Sequence, residues 1–127
     1  MRIFRTKHFA RFQRKERIDD AILCEAVSRA ERGLIDADLG HGLIKQRVAR
    51  RGEGKRGGYR TIIAYRAGNR SVFLYGFAKS KQANISKEDE RDLKDYGAMI
   101  LALDARGIEI MIGGNELTEL ECHGEEN

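Results

Sequence analysis

The sequence predicts an α+β fold in a single domain: an N-terminal strand, a two-helix hairpin, a core of three antiparallel strands and a C-terminal helix. Three observations carry the prediction. Apolar residues fall at helical spacing between Thr6 and Gly33, in strand-like runs between Leu43 and Lys79, and at helical spacing again after Ser86. A chain of 127 residues with 41% apolar and 35% charged side chains is the right size for one hydrophobic core, and too apolar to be disordered throughout. Residues 1–120 are assigned to the domain and residues 121–127 to a disordered acidic tail.

The elements follow in order. Arg2 to Arg5 reads as a short strand, and Thr6 caps a helix that carries Lys7, Arg11, Arg14 and Lys15 on one face and Phe9 and Phe12 on another. Asp19 opens a second helix, with Ile18 and Leu23 placed as a hydrophobic staple, and Arg32-Gly33 ends it. A loop through Asp36, Asp38 and Gly40 leads to strands over Leu43 to Ala49, Tyr59 to Arg66 and Ser71 to Lys79. Ala67 to Arg70 is a tight hairpin, whereas Arg50 to Gly58 is a longer, glycine-rich connection free to move. Ser86 with Asp89 forms a capping box, and Glu88, Asp89 and Glu90 suit the positive end of the helix that follows, which runs to about Leu103. Beyond it come a short helix over Asp104 to Ile112, a turn at Gly113 to Asn115 and, over Glu116 to Leu120, an alternating strand or an extended arm.

The net charge of +4 hides three unequal blocks. Residues 1–40 hold 9 basic and 7 acidic side chains, residues 41–81 hold 11 and 1, and residues 82–127 hold 4 and 12. A middle third whose one acid is Glu53 repels itself unless a polyanion faces it, and nucleic acid is the commonest polyanion of a cytosol. No run approaches the roughly 18 apolar residues of a membrane span, so no membrane partner is expected. Met1 to Phe12 is too basic for a signal-peptide core, which points to the cytoplasm, where Cys24 and Cys122 read as free thiols.

Alternation along the first core strand puts Lys45 and Arg47 on one face and Ile44, Gln46 and Val48 on the other. A sheet covered by helices on one side has no use for charge there, so Lys45 and Arg47 are expected on an open face, joined by Arg60 from the next strand and Lys79 at the end of the last. Arg50, Arg51, Lys55, Arg56 and Lys81 extend this charge, and the stripe Lys7, Arg11, Arg14 and Lys15 is a second basic surface. Neither a metal nor another cofactor is expected: residues 41–81 supply one carboxylate, and His8, His41, His123 and the cysteines show no ligand spacing. Gly52-x-Gly54-x-x-Gly57 matches a dinucleotide fingerprint in letters only, because it joins two strands and opens no helix. The strand aromatics Tyr59, Tyr65, Phe73, Tyr75 and Phe77 are mostly core, with one tyrosine free to stack on a base.

Gly58-Tyr59-Arg60 opening a strand, the basic run Leu43-Ile44-Lys45-Gln46-Arg47 before it and Leu74-Tyr75-Gly76-Phe77-Ala78-Lys79 after it, taken with the order of elements, resemble the RelE/ParE superfamily of bacterial toxins, the toxin halves of type II toxin-antitoxin systems. The resemblance covers residues 1 to about 103. Leu23 to Val27, Arg29 to Gly33, Leu34 to Leu39 and Leu43 to Arg50 are similar to a phage-associated, RelE-like branch. What the resemblance implies is a nuclease that enters the ribosomal decoding site, cuts mRNA without a metal and is silenced by a cognate antitoxin protein.

Such cleavage by the neighbouring ribose 2'-OH needs a base for that hydroxyl, positive charge for the crowded phosphorane and an acid for the departing 5'-oxygen. Lys45 is the base candidate, since crowding by other cations favours its neutral amine, and Arg60 is the phosphate grip. Lys79 or Arg47 serves the leaving oxygen. Related toxins often place a Glu or His in the site, and the options nearby are Glu53 and His41, both on loops. The superfamily also contains poisons of DNA gyrase, and a basic surface alone would suit a non-catalytic nucleic-acid binder.

Overall fold

Thr6 ends one element and starts the next with a single side chain: its hydroxyl accepts from the Phe9 N–H at 3.1 Å, so the chain leaves an extended strand and enters a helix without a linker. The computed structural model describes residues 1–50 and 54–122, with backbone alone at 50 and 54–57. The elements are β1 (Arg2–Thr6), α1 (Lys7–Glu16), α2 (Asp20–Glu31), β2 (Ala37–Gly40), β3 (Leu43–Arg50), β4 (Gly54–Arg66), β5 (Arg70–Ala78), α3 (Lys87–Ala102), α4 (Ala105–Gly113) and β6 (Leu117–Leu120). Capping works as the sequence predicts at Ser86, whose hydroxyl accepts from Asp89 N–H at 3.0 Å, with Glu88, Asp89 and Glu90 in the first turn. At α2 it does not, because Asp19 sits at the cap position without a side-chain capping bond.

The sheet is larger than the three strands read from the sequence. Six strands lie in the order β2-β3-β4-β5-β1-β6. The central three are antiparallel neighbours as expected, β1 runs parallel to β5, and β6 pairs antiparallel with β1. β2 occupies Ala37–Gly40, a stretch that Asp and Gly mark as loop by composition; its pairing with β3 overrides that composition. β4 begins at Gly54, so most of the connection expected over Arg50 to Gly58 is strand.

Helices cover both faces, not one. On the first, Phe9, Leu23, Ala26 and Val27 pack on Ile44, Val48, Ile63 and Phe73; on the second, Ile100, Leu101 and Ile108 pack with Leu43, Ile62, Val72 and Leu74. Each of the larger side chains contributes roughly 1.5–3 kcal/mol on burial, and two layers of them explain why a six-stranded sheet is stable at this length. Gly76 lets α1 settle on β5, because a Cβ there would collide with the Phe12 ring. Gly58 does the same for β4, where a Cβ would meet the Val48 carbonyl beside the irregular pairing between Val48 and Arg50.

Cys24 and Cys122 are joined, with Cα atoms 5.7 Å apart and a sequence separation of 98. This corrects the expectation of free thiols. Nothing in their spacing signals the pairing; the fold brings it about, because Leu120 and Cys122 lie over the same apolar layer as α2. Closing so long a loop restricts the unfolded chain, so reduction, or Cys122→Ser, should lower the unfolding free energy by about 2–4 kcal/mol. Denaturant titrations with and without reductant measure this, and coincident midpoints would mean that the link adds no stability.

Candidate functional site

The site begins with a side chain that faces away from it. Gln46 is fully buried on the α1/α2 face of β3, where its amide nitrogen donates to Ala26 O at 3.0 Å and Leu34 O at 3.2 Å and its oxygen accepts from Asp36 N–H at 2.8 Å. A buried amide so fully bonded fixes the facing of β3, and strand alternation then turns Lys45 and Arg47 to the other face. β2 pairs with β3 only as far as Lys45, so Arg47 lies on a free strand edge. That edge is sealed by side chains: Asp36 accepts from the Arg47 N–H at 2.6 Å, and the Arg29 guanidinium, itself bound to Glu25, donates to the Arg47 carbonyl.

Arg60 stands directly across from Arg47 in the β3–β4 ladder, and Phe77 directly across from Arg60 in the β4–β5 ladder. Directly opposed residues bring their Cβ atoms within about 4.5–5.5 Å, so two like charges face each other at a spacing that destabilises a sheet. Among the described residues no carboxylate pairs with the side chain of either arginine. Arg60 is half-buried, and its Nη1 is enclosed without a hydrogen-bond partner. An enclosed donor left unmade costs roughly 1–3 kcal/mol, more when charged, so the site holds a standing demand for an anion.

Lys45 lies two residues from Arg47, about 7 Å along the strand on the same face. Its ammonium reaches Asn84 Oδ1 at 3.4 Å, and that oxygen also accepts from the Ile85 N–H at 2.9 Å. Asn84 carries no signal in the sequence, being one polar residue of a turn. Lys79 and Lys81 are exposed in the same turn, folded back by N–H bonds from Lys81 and Gln82 to Ala78 O. The face is not open as expected: α3 packs on it against β3, β4 and β5, and there Arg60 is half-buried while Arg47 remains exposed.

His41 is not brought to these cations. It lies in the β2–β3 turn at φ +56°, beyond the end of β3 that starts at Leu43, itself about 13 Å along the strand from Arg47. Glu53 and Arg51, with the side chains of Arg50, Lys55 and Arg56, lie outside the described residues. Lys7, Arg11, Arg14 and Lys15 are all exposed on α1, whose Phe9 belongs to the core of the other sheet face. The tyrosines divide. Tyr59 is buried and donates to Glu16; Tyr65 donates to Glu31, and burial, reinforced by that bond, pushes its hydroxyl up to about 12. Tyr75 is half-buried and stacks with His8, ring centroids 5.7 Å apart. Among the described residues no group of His, Cys, Asp or Glu could hold a metal ion, and no helix is long and apolar enough to cross a membrane.

A search of curated proteins finds no match to the chain. The model of one family, described as the RelE toxin of the RelE / RelB toxin-antitoxin system, matches residues 1–120 and so takes in every strand and helix from β1 to β6. The chain therefore belongs to the RelE family, the toxins of toxin-antitoxin systems.

Proposed function

We propose that this toxin is an endoribonuclease that cuts mRNA on the ribosome without a metal. The observation that carries the reading is the opposed pair Arg47 and Arg60, uncompensated by any described acid, with the Nη1 of Arg60 enclosed and unpartnered. A phosphodiester supplies what that pair lacks. The planar Arg60 guanidinium holds the phosphate and stabilises the added charge of the phosphorane. Lys45 takes the proton of the ribose 2'-OH while that oxygen attacks phosphorus. The 5'-oxygen departs with a proton from Lys79, or with its charge met by Arg47. The products are a 2',3'-cyclic phosphate and a 5'-hydroxyl end, and a second proton exchange with water resets both lysines. An antitoxin silences the toxin by laying an acidic segment over the same cations.

Purified toxin added to programmed ribosomes should generate new mRNA 5'-hydroxyl ends that persist in excess chelator while the ribosomes remain intact, with free mRNA uncut. Intact mRNA beside damaged DNA in a gyrase assay would move the target from RNA to gyrase.

Arg60→Ala should lower single-turnover cleavage by about 10²–10³, the cost of removing one charge-stabilising donor, with little loss of thermal stability, because the enclosed Nη1 it removes has no hydrogen bond in the fold to lose. Arg60→Lys should fail nearly as badly, since an ammonium cannot grip two phosphate oxygens in one plane. Full activity in either variant would make Arg60 a plain surface charge.

Replacing Lys7, Arg11, Arg14 and Lys15 together should weaken ribosome binding and reduce its salt dependence by about one unit of slope for each phosphate no longer neutralised. Cleavage at saturating ribosome should be unchanged. A slow chemical step in this variant would mean that the α1 stripe belongs to the site.

A further inference from the structure

Where β1 stops at Thr6 and α1 turns out of the sheet, β5 continues beside a helix instead of a strand, and a half-open cleft of about 420 Å³ is left between α1 and α3. Its floor is apolar and aromatic, from Leu74, Tyr75 and Tyr96, with the His8 ring lying nearly parallel to Tyr75 at an interplanar angle of 9°. Its rim is acidic. Asp89 and Asp92 come from α3 and Glu116 from the turn before β6, and none of these carboxylates has a hydrogen-bond or ion-pair partner among the described residues. Burial together with the nearby Glu116 pushes the Tyr96 hydroxyl up, which places that carboxylate close to the aromatic floor.

This chemistry is the reverse of the Arg47–Arg60 face. A phosphate would be repelled by the rim, and a purely apolar group would leave the carboxylates idle. A lysine would satisfy the rim but has no flat surface to lay on the rings. A guanidinium meets both demands, because it stacks on aromatic faces through cation–π and planar contact while its edge donates to carboxylates, and its three-carbon stem covers apolar surface. We propose that the cleft between α1 and α3 is a docking site for an arginine side chain of a protein partner, separate from the RNA-facing cations. Lys7 also lines the cleft and is ion-paired to none of these carboxylates, so the rim is open to an incoming cation.

The test is a titration of the isotopically labelled full chain with the capped tripeptide acetyl-Gly-Arg-Gly-amide, followed by NMR. The arginine peptide should shift the signals of His8, Tyr75, Asp92 and Tyr96, and its citrulline counterpart, equal in shape but uncharged, should bind at least roughly tenfold more weakly, as removal of the charge from a hydrogen bond to carboxylate predicts. The double variant Asp92→Asn with Glu116→Gln replaces two exposed side chains, so it should keep its fold and bind the arginine peptide more weakly by a similar factor. Tyr75→Leu keeps the apolar packing on the core and removes the stacking surface, and it should weaken the same peptide. The proposal is overturned if the arginine peptide leaves the cleft signals unmoved up to its solubility limit, if citrulline binds equally well, or if binding survives the double variant. None of these readouts depends on RNA cleavage, so they stand apart from the outcome of the ribosome experiments.

Discussion

The buried amide of Gln46 is the constraint from which the cationic face follows. Three of its hydrogen-bonding positions are filled by backbone groups of α2, of the chain after it and of the approach to β2. Shifting β3 by one residue would orphan all three and drive Lys45 or Arg47 into a layer built from Leu23, Ala26 and Val27, where an unpaired charge is far more costly than an unmade hydrogen bond. The fold therefore has one register in which β3 is tolerable, and in that register both cations face away from α2. The same bond to Asp36 sets that carboxylate beside the Arg47 N–H, so the outer edge of β3 is closed at the point where β2 has ended.

The separation of charge along the chain becomes a separation in space. The basic middle third forms β3 to β5, and the acidic last third forms α3, α4 and β6. The two could have neutralised each other, and largely they do not. Arg70 donates to the carbonyls of Ile100 and Leu103, where a cation suits the negative end of α3, and Glu90 is engaged by Lys94 within that helix. Arg2, also from outside the basic third, is bound by Glu109 and Glu119. Among the described ion pairs none reaches Lys45, Arg47 or Arg60, so the field of those three is left for a ligand.

Local physics is legible in the sequence, and distant physics is not. Thr6 and Ser86 can be recognised as caps because the capping bond spans three residues, and the alternation from Leu43 to Val48 correctly separates Lys45 and Arg47 from Gln46. The short helix before β6 and the extended segment Leu117 to Leu120 are visible for the same reason. The parallel pairing of β1 with β5, the addition of β6 and the Cys24–Cys122 link all join residues whose relation exists only after folding. The second helical layer is hidden as well: the apolar face of α3 is plain, but a sequence does not say which side of a sheet it will cover. Asn84 and His8 acquire their places only through their neighbours Lys45 and Tyr75.

The placement of β1 bears on the order in which the molecule is made. Its partners start at Arg70 on one side and at Leu117 on the other, so β1 is flanked by two strands that are translated long after it. The hairpins of β3, β4 and β5 depend on pairings much closer along the chain and need less of it before they can form. Lys45, Arg47 and Arg60 are therefore held in their ladder by short-range pairing, whereas completion of the sheet awaits β6. A nascent chain stalled before Leu117 would carry its cationic hairpins on a sheet with an unprotected edge along β1, the kind of edge that pairs with whatever extended segment it meets.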